Sequence, residues 1–446
     1  MKSFRIGCGA GYAGDRIDPA QALAERGRLD ALVFECLAER TIALAQLRRR
    51  REPGHGYDPL LEARLRAVLP ACVRQGVTVI SNMGAAHPEA AGAAVLAVAR
   101  SLGVPRLRVA VVTGDDVLPW VRANDVALLD SELRASDLGE QLVSANAYLG
   151  AEALLPALAS DADVIITGRV ADPALFLAPL MHAFGWRADD WPRLGQGVLV
   201  GHLLECAAQV SGGYIADPGH FDVPNLHEVG FPLAEVQSDG TAVITKLEGT
   251  GGCVNRLTCT AQLLYEIEDP ARYLQPDVVA DFSKVSLRDL GGDRVRLSGA
   301  SGTARPEQLK ATLGYSDGWI GEGQISYAGP GAVERGRLAL QVLEQRLRLL
   351  GLAGLERRAE LIGLNAMHGP KLGADRSPYE LRLRLAVHCT TREQAERIGQ
   401  EVEAMYLNGP AGGGGVTQSV REVIAAASAL VPREAARTAV QVLELQ

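Results

Sequence analysis

The sequence lacks paired cysteines at metal- or redox-type spacing. Its seven cysteines (Cys8, Cys36, Cys72, Cys206, Cys253, Cys259 and Cys389) are odd in number, scattered, and never form a C-x-x-C pair. That is the pattern of reduced thiols in a cytoplasmic protein rather than of a disulfide scaffold. No H-E-x-x-H or H-x-H spacing occurs, so no metal site is expected. Neither a serine-hydrolase elbow nor a Walker-type phosphate loop is read from the chain. Apolar runs of about 18 residues are missing, which removes a membrane-spanning helix, and the N-terminus enters a strand with no basic-then-apolar leader. Positive charge is also scarce, since 45 Lys and Arg face 53 Asp and Glu for a net charge of −8. A nucleic-acid surface needs concentrated cations, and the short run at 48–51 sits where a helix end favours positive charge.

What is present is a globular composition, 47% hydrophobic and 22% charged. Its apolar runs break repeatedly into glycine- and acid-bearing loops. Residues 4–6 open into GCGAGYAGDR (7–16), 77–80 into SNMGAAHPE (81–89), 109–112 into TGDD (113–116), and 164–166 into TGRVADP (167–173). Helical segments lie between them, at 18–25, 37–51, 60–75, 88–102, 144–159, 173–182 and 198–210. With 31–34 this makes five parallel strands, a Rossmann-like α/β sheet with crossover helices. Ligands of such sheets bind at the carboxyl ends of the strands, so the four loops are expected to converge there.

At 446 residues, two domains are expected. The pattern changes near residue 225, where short alternating runs follow hairpin signals such as Asp239-Gly240 and Gly291-Gly292-Asp293. Helices at 333–350 and 393–406 and an Arg/Leu-alternating strand at 379–389 follow. The reading is an α/β domain over 1–225 and an α+β domain over 226–446.

Several stretches carry candidate chemistry. Gly9, Gly11 and Gly14 have dinucleotide-fingerprint spacing, with Asp15 and Arg16 closing the loop. The acid expected about 20 residues later is only loosely met by Glu35. Phosphate or thioester binding and a plain tight turn both remain open readings. Asn82, Arg169 and Asp172 belong to the strand-end loops, and Asp172 before Pro173 also suits a helix N-cap. In GHLLECAAQVSGG, His202, Glu205, Cys206 and Gln209 share one face of an otherwise apolar helix. There a His/Glu pair suits general acid–base work or a satisfied core network. The glycine loops EGTGGCVN (248–255) and GPAGGGG (409–415) offer backbone N–H groups for an anion, with Gly251, Gly252, Gly412 and Gly413 as candidates. Glu322, between two glycines, is expected as a carboxylate on a constrained loop.

Taken together, GCGAGYAGDR, NMGAAHPEAAG, TGRVADPALFLAPL, GHLLECAAQVSGGYIADPG, VITKLEGTGG, LLYEIEDPARYLQPDVVADFS and DGWIGEGQISYAGPG resemble the acyclic terpene utilisation AtuA-like family over essentially the whole chain. The resemblance implies a role in the catabolism of acyclic isoprenoids and branched or carboxylated acyl-CoA compounds. It also implies a small companion domain or subunit of about 100 residues. The expectation is therefore a hydratase or lyase acting on an unsaturated acyl-CoA or carboxylate. Glu205 with His202 would be the acid–base pair, Glu322 the reserve, and Gly251 and Gly252 the enolate stabiliser. No cofactor is expected beyond CoA as part of the substrate, and the chain is expected to form a homo-oligomer. The rival reading is a non-catalytic acyl-CoA-binding or scaffold subunit working with the small partner. A nicotinamide-dependent oxidoreductase is a third.

Overall fold

The computed structural model describes residues 3–372 and 377–445. Five strands, Ser3–Ala10, Ala31–Phe34, Thr78–Ser81, Val164–Thr167 and Leu107–Thr113, pair in parallel in that spatial order. Every residue of Ala31–Phe34 and Val164–Thr167 is buried, as strands covered on both faces require. Helices Asp18–Arg26, Leu61–Gln75 and Pro88–Ser101 pack in a row over one face, and Asp172–Phe184 with Trp191–Leu204 covers the other. Four of these five helices begin with proline in the first turn, where its missing N–H costs nothing. The first strand stays thin for close packing. A Cβ at Gly7 would meet Leu29 at 2.7 Å, and one at Gly9 would meet the Phe34 ring at 2.6 Å.

The sheet does not stop at the parallel core, and this moves the expected domain boundary. Pro232–Gln237 pairs antiparallel with the first strand, Ile6 opposite Ala234. Ala242–Lys246, Val295–Ser298 and Ser286–Asp289 extend that edge, and Ala439–Leu445 closes the other edge against Leu107–Thr113. A buried first strand needs a partner on its free side, and the hairpin at Asp239-Gly240 (Gly240 φ +89°) supplies one from beyond residue 225. The result is a ten-stranded mixed sheet. Its parallel strand order is not the doubly wound order of dinucleotide-binding domains.

The chain divides into two compact units, Met1–Gly314 with Ala426–Gln446, and Tyr315–Ala425. In the second unit, residues 319–328 of the long Gln308–Ala328 strand pair antiparallel with Glu380–Cys389, which also pairs with Arg357–Ile362. Leu381, Leu383 and Leu385 are buried in one core with residues of the Ala332–Leu349 and Arg392–Glu403 helices. On the opposite face of that sheet, Arg384 is ion-paired to Glu322 and Glu360.

Two local expectations are corrected. Residues 144–159 do not form a long helix. Leu142–Ala147 is a strand, and only short turns follow at Ala151–Ala153 and Leu155–Leu158, because Gly150 and Pro156 interrupt the Ala/Leu pattern. Glu322 lies in mid-strand rather than on a loop. The G-Y-S-D-G stretch at 314–318 has serine-elbow spacing but lies inside the same strand, not on a strand-to-helix turn. Among the described residues no helix is long and apolar enough to cross a membrane.

Candidate functional site

The loops at the carboxyl ends of the parallel strands come together through buried side chains. Glu35, just past the second strand, accepts the Leu37 N–H at 2.8 Å and the Asn82 side-chain amide at 2.9 Å. Asn82 in turn accepts the Cys36 N–H at 2.7 Å, tying the second- and third-strand loops together. Asp115, after the Leu107–Thr113 strand, accepts the Arg169 N–H at 2.9 Å and the Asn146 amide at 2.7 Å. Arg169 is thereby placed at the middle of the group with its side chain 2% exposed. Its Nη1 donates to the Leu37 carbonyl and to Asp172 Oδ1 at 3.0 Å, and lies 4.0 Å from Glu35. Its guanidinium stacks 4.0 Å from the centre of the Tyr148 ring. Tyr148 donates its hydroxyl to Glu39, which Lys310 also approaches at 3.2 Å.

Next to this cluster stands a His/Glu dyad. His202, wholly buried near the end of the Trp191–Leu204 helix, has Nδ1 at 3.0 Å from Glu205 Oε1 and Nε2 at 3.3 Å from the Leu263 carbonyl. A carbonyl only accepts, so Nε2 carries the hydrogen. Nδ1 of a neutral imidazole then accepts, and the proton in the short contact belongs to Glu205. Burial supports this neutral form by lowering His202 to about 4 and raising Glu205 well above the carboxylate range, with Asp172 and Glu266 adding to the latter. Glu205 Oε2 is buried without a hydrogen-bond partner.

Both groups open onto one cavity of about 720 Å³, lined only by residues of the first unit. Its polar lining includes Glu35, Glu39, Tyr148, Arg169, Asp172, Glu205, Glu266 and Lys310. Its apolar wall includes Leu129, Tyr273, Leu274, Pro276, Pro306, Leu309 and Leu430. Five carboxyls against two cations in a partly dry space cannot all ionise. Burial and the nearby Asp172 push Glu35 up to about 8, and burial raises Asp172 against the opposing Arg169. Burial likewise raises Asp115, behind the wall, to about 6. Glu39 goes the other way. Burial would raise it, but the Tyr148 hydroxyl, its own backbone, Arg169 and Lys310 hold it at about 2. The pocket therefore has groups that ionise easily beside groups that keep protons, the arrangement acid–base sites use. Among the described residues no three His, Cys, Asp or Glu side chains stand together to hold a metal ion.

A model described as acyclic terpene utilisation family protein AtuA matches residues 4–442. The chain belongs to the acyclic terpene utilisation AtuA family. Comparison with curated proteins and with solved structures returned no match. The AtuA assignment places this carboxyl-rich cavity in a protein of acyclic terpene utilisation.

Not every residue singled out from the sequence reaches the cavity. Gly11, Arg169, Asp172 and Glu205 line it, while His202 and Asn82 support it from behind through Glu205 and Glu35. The glycine loop after the first strand is used for close packing. A Cβ on Gly11 would come within 2.5 Å of the Cys206 carbonyl carbon, and one on Gly14 within 2.7 Å of the Tyr12 ring. The Gly11 N–H is already bound by Asp15 Oδ2 at 3.0 Å, and Arg16 donates to the His227 carbonyl at 2.6 Å. Wholly buried Arg64 holds the carbonyls of Tyr12, Ala13 and Asp15 at 2.9–3.3 Å.

The enolate-stabiliser role expected of Gly251 and Gly252 needs correction. Their N–H groups donate to the Glu228 and Pro224 carbonyls at 2.8 and 2.7 Å, and neither residue lines the cavity. Asp172 is not an N-cap; Ala171 holds that position, and Asp172 turns to Arg169 instead. Glu322, Gly412 and Gly413 belong to the second unit. There Glu322 is held by Arg384 and Gln324, and Arg335 and Arg382 take the carbonyls of Ala411, just before the glycine run, and of Gly415, its last residue. Sequence reasoning missed Glu39, Tyr148, Tyr273, Glu266 and Lys310. Tyr148 was hidden by the helix reading of 144–159, and Lys310 has no motif around it.

Proposed function

We propose that this protein is an acid–base enzyme of the hydratase or lyase type, acting on an unsaturated, branched carboxylic acid or its CoA thioester formed in acyclic terpene breakdown. The observation that carries the proposal is the Glu205–His202 dyad. One carboxylate oxygen is committed to an imidazole, the other is buried and unpartnered, and the residue lines the cavity. Such a group moves a proton to or from a carbon next to a carbonyl. Glu205 takes a proton from substrate at Oε2 as its Oε1 proton passes to His202 Nδ1, and gives it back by the reverse of both transfers, so the Oε1–Nδ1 contact is the path between the two protonation states. Tyr273, its phenol kept protonated by burial and by the neighbouring Glu205, lines the same space and would donate to the enolate oxygen. The leucine- and proline-rich wall suits a branched hydrocarbon chain, and the cavity volume lies in the range of small-molecule sites.

The test is turnover of a panel of branched unsaturated acids and their CoA esters in D₂O, with and without the companion subunit. Deuterium at the carbon alpha to the carboxyl, together with hydration of the double bond, is the expected result. Binding without exchange or hydration in every combination would instead favour the non-catalytic scaffold.

A further inference from the structure

Resting on that reading, we infer that Asp172 is the second proton-carrying group of the site, serving the water oxygen while Glu205 serves the carbon. Hydration of a double bond needs two proton transfers in opposite senses, and one dyad supplies only one of them.

The geometry of Asp172 suits the second. It stands at the first position of the Asp172–Phe184 helix and lines the same cavity as Glu205. About a third of its side chain is open, whereas the Arg169 beside it is almost wholly enclosed. Arg169 Nη1 takes one Asp172 oxygen at 3.0 Å and approaches Glu35 at 4.0 Å, so a single guanidinium lies between two carboxyls. Glu35 is fixed by Leu37 and Asn82 and cannot swing. Asp172 is the member of the pair with an open side, and it is held in orientation from behind by Arg169. N-capping does not account for this placement, because the N-cap position belongs to Ala171 and Asp172 is paired to Arg169.

The step balances as follows. A water O–H bond breaks, its proton passes to the Asp172 carboxylate, and the oxygen bonds to the β-carbon. The π electrons move to the α-carbon, which takes the proton released by the Glu205–His202 dyad. Loss of water runs the same transfers in reverse, and solvent returns the proton from Asp172 to the dyad between turnovers.

The experiment uses the full chain, with its companion if one is required, and separates the two transfers. Asp172→Asn is compared with Glu205→Gln in D₂O, using the hydroxy acid that wild type dehydrates. Hydrogen–deuterium exchange at the α-carbon reports the dyad, and loss of water reports Asp172. Asp172→Asn is expected to retain exchange within about threefold while water loss falls by about 100-fold or more. Glu205→Gln is expected to lose both. Asp172→Ser guards against a folding defect in the asparagine variant, because added formate should restore water loss there, which no purely structural role would allow. Water loss at the wild-type rate in Asp172→Asn, equal loss of both readouts, or a folded Asp172→Ser that formate does not rescue would each overturn the inference while leaving the proposed function standing. A wild type that neither exchanges nor dehydrates any member of the panel would overturn both.

Discussion

Glu35 gives the account a thermodynamic handle that does not depend on knowing the substrate. Its carboxyl ionises near 4.5 in an unfolded chain and at about 8 in the fold, because it is buried beside Asp172. Between those values the folded protein holds one proton more than the unfolded chain. Its contribution to stability is therefore fully present below about pH 4.5 and is lost as the pH rises through about 8. Each pH unit in that window removes about 1.4 kcal/mol, so this one group costs wild type about 4 kcal/mol between about pH 5 and about pH 8. Glu35→Gln keeps an oxygen for the Leu37 N–H and the Asn82 amide but has nothing to titrate. The two proteins should thus be nearly equally stable at about pH 5, and the balance should shift toward the variant by about 4 kcal/mol at about pH 8. Urea unfolding followed by tryptophan fluorescence measures this, since Trp120, Trp186 and Trp191 all lie in the first unit. Profiles that stay parallel within about 1 kcal/mol across the range would refute the reasoning.

Other changes follow from the same contacts. Arg169→Met should destabilise the fold by roughly 3–5 kcal/mol, by leaving Asp172 without its cation and the Leu37 carbonyl without its donor, as read from a denaturant midpoint. Gly11→Ala should cost about 1–3 kcal/mol and depress turnover, because its Cβ is driven into the Cys206 backbone next to Glu205. Unchanged melting and rates would contradict that packing. Glu322→Gln should cost about 1 kcal/mol or less, because the Arg384 pair it breaks is partly open to solvent and Arg384 keeps Glu360.

Much of the first unit was legible because its parallel strands are short Val/Ile runs ended by glycine or acid. Residues 31–34 and 164–166 match observed strands for that reason, and the convergence of Glu35, Asn82, Asp115 and Arg169 follows from strand direction. The Arg/Leu alternation of 379–389 also gave away its strand, with leucines buried and arginines outward. Three things were not legible. The return of 232–246 to the edge of the first strand is a long-range pairing that no local pattern encodes. Gly251 and Gly252 looked like free donors because sequence cannot say where an N–H points, and here it points to nearby carbonyls. The reach of Tyr148 and Lys310 to Glu39 depends on the 308–314 segment lying beside 142–148, which brings residues 162 positions apart into one site. His202 and Glu205 could be paired in advance because their i, i+3 spacing is fixed by the helix itself.

The central claim, that Glu205 moves a proton in this cavity, is tested most directly by one comparison. Wild type and Glu205→Gln are incubated in D₂O with the best substrate of the branched-acid panel, and deuterium at the α-carbon is measured by NMR. Glutamine keeps the size of the side chain and a hydrogen bond to His202 Nδ1 but cannot exchange a proton with the substrate. The account predicts that deuterium incorporation falls by about 100-fold or more while substrate affinity and melting temperature stay close to wild type. Incorporation at the wild-type rate in Glu205→Gln would contradict it.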